Sequence, residues 1–283
     1  MKNIKHMLRQ HCYNALVYLV ALIVTLIYVF PYIWMFLSSF KTSEEIFSVP
    51  LKWLPSEFRW NIYVEVLTET IFPRIFLNTI CYTVTTTLIV VYSSALTGYA
   101  LAKLRFRGRE LYFLFCVATM MVPFFVLIIP LYRLMVDWGL ANTLYALILP
   151  HIISPFGIFL MRQFMITIPN ELLDSARIDG ASELSILHRI CFPLIKSACL
   201  VLGLITFLNL WMDFLWPLVV LHSQENFVME VYLQQLQQFW GGNLKYYGRL
   251  MAASTIATLP IIVFLALTNK YIVKGIALTG LKK

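Results

Sequence analysis

Apolar side chains run along this sequence in long blocks, with neither the two-residue alternation of a half-buried strand nor a single narrow helical stripe. Residues 15–37 and 75–102 contain no charged side chain at all. Each block exceeds the roughly 20 residues that carry a helix across the hydrocarbon core of a bilayer. Lipid offers no partner to backbone N–H and C=O groups, so such blocks must be helices that satisfy their own hydrogen bonds. The pattern predicts six membrane spans, over residues 15–37, 75–102, 111–132, 140–161, 197–221 and 250–269. Pro150, His151 and Pro155 interrupt the fourth and predict a kink there. Gly157, close by, leaves room for another helix to approach. The expected fold class is all-α, one transmembrane domain over 1–283 with no internal repeat.

Composition agrees with the pattern. Hydrophobic residues make up 60% of the chain and charged residues 13%, where a soluble domain carries about a quarter charged residues. The net charge of +8 would suggest nucleic acid in a soluble chain, but cytoplasmic loops of membrane proteins are themselves rich in Lys and Arg. Placing both termini in the cytoplasm puts 15 of the 22 basic residues inside. The asymmetry is steepest in the tight turn bearing Lys103, Arg105, Arg107 and Arg109. The first block is too long for the apolar core of a signal peptide and lacks a cleavage site, so it is read as a retained first span. The five cysteines have no metal-ligand spacing and none falls in an external loop, which argues against a disulfide framework or a metal site.

Two external segments, 41–74 and 222–249, are too long for simple turns. The second is rich in Gln and aromatic residues, among them Gln234, Gln235, Gln238 and Trp240. These are candidate contacts for an extracytoplasmic protein; the alternative is that the aromatics anchor the span ends at the headgroups. In the fifth span, Asp213 is the one acidic residue within a predicted membrane segment. Intramembrane charges usually face a cavity or a partner. Helical spacing would set Asn209, Asp213 and Trp216 on one face with Met212 beside them, a candidate substrate path of hydrogen-bonding groups beside an aromatic plane. A simple hydrogen bond from Asp213 to a neighbouring helix is the competing reading.

The segment 169–181, Pro-Asn-Glu-Leu-Leu-Asp-Ser-Ala-Arg-Ile-Asp-Gly-Ala, predicts a short cytoplasmic helix. Asn170 suits an N-cap, Glu171 and Asp174 suit the positive end of the helix dipole, and Gly180 suits a left-handed C-terminus. Leu172, Leu173 and Ala176 are expected on one apolar face. A mixture of acids and bases favours a protein partner over a helix lying on the membrane surface.

This stretch resembles the EAA signature of ABC importer permeases: Asp174-Ser175-Ala176, then Gly180, then Ile190-Cys191-Phe192-Pro193 at the signature spacing. Asp for Glu, Ser for Ala and Phe for Leu are its departures. Further motifs resemble the binding-protein-dependent carbohydrate-uptake permeases, of the kind found as the smaller permease of the maltose system. They are Phe76-Leu77-Asn78-Thr79, Tyr99-Ala100-Leu101-Ala102, Met121-Val122-Pro123, Ile129-Pro130-Leu131-Tyr132, Asp213-Phe214-Leu215-Trp216-Pro217-Leu218 and Tyr271-Ile272-Val273-Lys274-Gly275. The resemblance covers about three-quarters of the chain, from residue 76 onward.

The resemblance implies a transport subunit that is not itself an enzyme and has no catalytic residues. It implies an ATPase-coupling role for Glu171, Asp174, Ser175, Ala176, Asp179, Gly180, Ala181, Ile190 and Pro193. It also implies a second permease subunit, two ATPase subunits that bind ATP and magnesium, an extracytoplasmic solute-binding protein, a carbohydrate cargo, and residence in a bacterial cytoplasmic membrane. The chain itself has no phosphate-binding Gly-x-x-x-x-Gly-Lys-Ser/Thr loop. Three alternatives are an ion-coupled transporter, a membrane-embedded hydrolase, and an importer of the same class carrying another cargo such as a polyol phosphate. The first is disfavoured by the lack of a repeat. The second is disfavoured because His6, His11, His151, His188 and His222 form no catalytic set in sequence.

Overall fold

The structure, a computed structural model, describes the backbone of residues 2–68, 70–240 and 246–280, and the side chains of 10, 11, 13–68, 70–238 and 246–268. It is built from helices: α1 (Lys2–Ser38), α2 (Ser43–Ile46), α3 (Asn61–Thr68), α4 (Phe72–Lys103), α5 (Arg109–Thr119), α6 (Phe124–Asp137), α7 (Leu144–Ile148), α8 (Pro155–Ile166), α9 (Asn170–Ile178), α10 (Glu183–Ile186), α11 (Phe192–Leu194), α12 (Lys196–Trp211), α13 (Leu215–Val220), α14 (Met229–Trp240) and α15 (Tyr247–Gly280). Among the described residues, three helical stretches are long and apolar enough to cross a membrane unbroken: Tyr13–Ser38, Phe72–Lys103 and Tyr247–Thr268.

Three bent helix pairs are also long and apolar enough together to cross, each as one broken span. The fourth predicted span bends by 43° between Leu144–His151 and Pro155–Ile166, where the prolines predict it. The third, expected to be continuous, instead turns by 100° between α5 and α6. Pro123 lies in the gap with φ −62 and ψ 135. Having no N–H and disfavouring a helical residue before it, proline starts the second arm and cannot continue the first. The fifth is also interrupted. Lys196–Trp211 ends before Asp213 and α13 begins at Leu215, so 197–221 is not one helix; just ahead of it, Lys196–Trp211 meets Glu183–Leu194 at 81°.

The chain divides into two compact units, Met1–Phe72 with Gln235–Thr258 and Pro73–Gln234 with Leu259–Lys283. In the first, fully buried Phe40 sits among the rings of Phe36, Phe58, Trp60 and Tyr63. Beside it Lys41 is buried too. Its ammonium donates to the Lys52 carbonyl at 2.7 Å and lies 4.1 Å over the Trp34 ring, contacts that answer the cost of removing a charge from water. Burial pushes its pKa down. Glu65 and Arg249 pair at 2.7 Å.

The second unit is held by a core of Val90, Ala95 and Tyr99 from α4, Met161 and Met165 from α8, Leu173 from α9, and Ile186, Leu187, Cys191, Ile195, Ala198 and Leu202 further on. Close approach of α4 and α8 requires glycine. A Cβ at Gly98 would stand 2.7 Å from that of Met161, and one at Gly157 would collide with the Ser94 side chain. Small residues at the crossing are how membrane helices gain packing contact, because burial from lipid offers no hydrophobic gain.

Candidate functional site

Helix α9 follows directly on Pro169, which holds extended backbone (φ −59, ψ 136). Asn170 is therefore the first helical residue and not the N-cap. Its Oδ1 accepts a hydrogen bond from the Lys103 ammonium at 2.9 Å, and the same ammonium donates to the Ile168 carbonyl at 2.5 Å. The helix ends as the sequence predicts. Gly180 is left-handed at φ 81, the Ala181 N–H donates to the Ala176 carbonyl and the Gly180 N–H to that of Arg177, both at 3.0 Å. These are the two bonds of a Schellman cap.

The expected face of Leu172, Leu173 and Ala176 does not form as one. Leu173 is fully buried in the core and Ala176 packs against it, whereas Leu172 and Ile178 are exposed. The reason is angular: Leu172 and Leu173 stand about 100° apart around a helix, so the core takes only one. The outward surface carries Glu171, Leu172, Asp174, Ser175, Ile178, Asp179 and Gly180, acids around two exposed apolar side chains. Ala181 and Ile190 are half-buried against the core. Pro193 is exposed within α11, after a wide helical turn at Leu187–Cys191. Lacking an N–H, Pro193 leaves the carbonyl of residue 189 without its usual helical partner. Ile190 and Pro193 thus belong to the turn that carries α9, and the outward residues of α9 form the candidate contact.

Behind α9 lies a charge network that spacing alone did not suggest. Arg177 Nε donates to Glu183 at 2.8 Å and its Nη1 to Asp174 at 2.7 Å. The Tyr99 hydroxyl of α4 donates to Glu183 Oε2. Hydrogen bonds to Glu183 first and Asp174 second push the Arg177 pKa up, so its charge is fixed. Nearby, Arg162 of α8 pairs with Glu110 at 2.9 Å and lies 3.9 Å over the Phe113 ring.

In the membrane, the predicted face of Asn209, Asp213 and Trp216 is not formed, because α12 stops at Trp211 and α13 begins at Leu215. Asp213 sits in the gap, where a short polar side chain competes with helical backbone. It accepts the Tyr82 hydroxyl at 3.2 Å. Trp216 is fully buried, and its indole donates to the Ala146 carbonyl at 3.0 Å, so its side chain packs between helices here. Met212 is exposed. Asn209 is exposed and lines a cleft of 520 Å³ with Phe124, Pro150, His151, Phe156 and Thr206, beside the kink of the fourth span.

On the external segment, Gln234 and Gln238 are exposed at four-residue spacing on α14, and Gln235 is half-buried. The side chain of Trp240 lies outside the described residues, as do those of Cys12, Lys245 and the closing 271–275. A determinant missed in sequence pins this segment's base. Asn142, left-handed at φ 63, accepts the backbone N–H groups of His222 and Ser223 at 2.9 Å each, and Asn226 donates to its carbonyl at 2.7 Å. Asn tolerates that conformation better than most residues, and its place three residues after Gly139, at the start of the fourth predicted span, was the available signal.

Comparison with known proteins gives a consistent picture. Residues 94–278 match the family described as binding-protein-dependent transport system inner membrane component. The arabinooligosaccharides transport system permease protein AraQ of Bacillus subtilis (strain 168) is 34% identical over 282 residues, 99% of each chain. The sn-glycerol-3-phosphate transport system permease protein UgpE of Brucella abortus is 29% identical over 273 residues, covering 94% of this chain and 96% of that one. Among solved structures, a chain of a bacterial ABC transporter involved in the import of the acidic polysaccharide alginate superposes with a TM-score of 0.79 at 26% identity, over 92% of this chain and 96% of that one.

Proposed function

The chain belongs to the family of binding-protein-dependent transport system inner membrane components, and on that premise we propose that it is the permease subunit of an ATP-driven ABC importer for an oligosaccharide. It resides in a bacterial cytoplasmic membrane, crosses it several times, and pairs with a second permease. Two ATPase subunits supply the energy and bind ATP and magnesium, and an extracytoplasmic protein delivers the sugar.

The observation that carries this reading is the outward surface of α9. It is short, exposed, acidic at its first turns and closed by a left-handed Gly180, while its inner face is locked into the membrane domain through Leu173. Such an element presents a fixed surface to a partner. Glu171, Asp174, Ser175, Asp179 and Gly180 make the ATPase contact in this reading, with Ala176, Ala181, Ile190 and Pro193 supporting it. Nucleotide-driven closure of the ATPases moves the surface, and the membrane domain alternates between outward- and inward-open states. Asn209, Met212 and Asp213 remain candidates for the path, and Gln234, Gln235, Gln238 and Trp240 for the binding-protein contact.

An oligosaccharide is favoured by the 34% identity to AraQ across the whole chain; the likeness to UgpE supports a polyol phosphate as the second reading. Proteoliposomes holding the co-purified complex, with its binding protein outside and ATP inside, should accumulate labelled arabinooligosaccharide. Accumulation of sn-glycerol 3-phosphate instead would favour the second reading, and ATP-independent accumulation of either would overturn the importer assignment.

A further inference from the structure

By chain connectivity α9 hangs between α8 and the α10–α12 segment. Its polar contacts add a link to α4, direct at one end and through Glu183 of α10 at the other. At its N-terminal end, Lys103 holds both the Ile168 carbonyl, at 2.5 Å, and the Asn170 side chain, at 2.9 Å. At its C-terminal end, the Arg177 fork grips Glu183 with Nε at 2.8 Å and Nη2 at 3.2 Å, and Tyr99 donates to the same carboxylate. Tyr99 and Lys103 are four residues apart on α4, hence on one face of that helix. Between the two grips, Leu173 is fully buried in the core that Tyr99 shares.

We infer that α9 is tied at both ends to a single membrane helix, α4, directly through Lys103 and at its far end through Glu183 of α10, and that Tyr99, Lys103 and Glu183 are positioning residues that carry its movement into the membrane. The inference rests on the proposed reading of α9 as the ATPase contact and extends it by naming the helix that receives the displacement. Two grips about two turns apart, one at each end of α9, resist rotation as well as translation. A single central contact through Leu173 would let the helix pivot. Arg177 suits the far grip because its fork binds a carboxylate at two nitrogens while a third hydrogen bond, to Asp174, fixes the guanidinium plane.

The experiment uses the complete complex of this chain with its partner permease and ATPases in lipid nanodiscs. The five cysteines are replaced, and nitroxide labels are set on exposed Leu96 of α4 and on exposed Ser182, just past the C-terminal end of α9 and outside its ATPase-facing surface. Label separations are measured without nucleotide and with ATP plus vanadate. The clamp predicts a separation that changes by no more than about 1 Å between the two states. In Glu183→Gln and in Tyr99→Phe/Lys103→Met it should shift by about 2 Å or more, the scale of a helix sliding at an interface. Glu183→Asp, which keeps the carboxylate, should stay close to the parent. Tyr99→Phe alone removes one oxygen and leaves the packed ring, so it reads the clamp even if the double variant does not assemble; it should broaden the distribution. A parent separation that itself shifts by about 2 Å, or variants indistinguishable from the parent, overturns the inference. Failure of the unlabelled parent to retain any ATPase would overturn the reading of α9 as well, which separates the two failures.

Discussion

The Tyr82 hydroxyl of α4 donates to the Asp213 carboxylate at 3.2 Å, across 131 residues of sequence. Asp213 occupies the gap between α12 and α13, and Tyr82 is fully buried. Removing the hydroxyl leaves the carboxylate in this gap without that partner. Tyr82→Phe is expected to destabilise the membrane domain by about 1–3 kcal/mol, the cost of an orphaned buried acceptor. Asp213→Asn, which can still accept the hydroxyl, should cost less. Thermal unfolding in detergent orders the two variants, and equal midpoints would remove the hydrogen bond from the account of this break.

At Gly180 a Cβ would meet nothing within 4 Å, yet the backbone is held at φ 81. Gly180→Val should therefore cost about 1–2 kcal/mol of backbone strain and leave the core intact. Its side chain would project from the outward surface of α9. The expected result is a folded membrane domain with ATPase retention reduced at least about tenfold, which pull-down quantifies. Asp174→Lys, placing a like charge beside Arg177, should act in the same direction.

Glu230, near the start of α14, has its pKa raised by burial. A carboxyl whose folded pKa exceeds its unfolded value near 4.5 binds more protons when folded. Its protonated form therefore favours the fold, and that contribution is lost as pH rises through the raised value. Glu230→Gln should raise the melting midpoint at pH 7 by about 2 °C and flatten the slope of stability against pH just above 4.5. A slope unchanged by the substitution would contradict this.

Gln234 and Gln238 stand exposed on α14, clear of the core. Replacing both with Ala should leave assembly and unfolding unchanged, within about 0.5 kcal/mol for surface positions. The same variant should lower the stimulation of ATP hydrolysis by added binding protein severalfold. Full stimulation would assign these residues to solvent.

The membrane class, the kink at Pro150–Pro155 and the left-handed end at Gly180 were legible in sequence because each rests on local chemistry: apolar run length, missing N–H groups and tolerance of positive φ. Pro123 also carried the signal for the 100° turn before α6, but a proline in an apolar run reads equally well as a tolerated kink. The Leu172 and Leu173 pair misled for a different reason, since spacing gives faces and only packing decides which face is inside. Tyr99 and Glu183 lie 84 residues apart, and Asn142 meets Ser223 across 81. No periodicity links such pairs, so the clamp and the base of the external loop appear only once the helices are assembled.

The central claim is that this chain is a membrane subunit driven by a separate ATPase through the outward face of α9. The most direct measurement is affinity purification of the tagged chain from its own membranes, followed by quantification of bound subunits and of vanadate-sensitive ATP hydrolysis. The account predicts a second permease and two copies of an ATPase bearing a phosphate-binding loop, with hydrolysis lost from the preparation when Gly180→Val replaces the parent. A parent chain that purifies folded without an ATPase would contradict it.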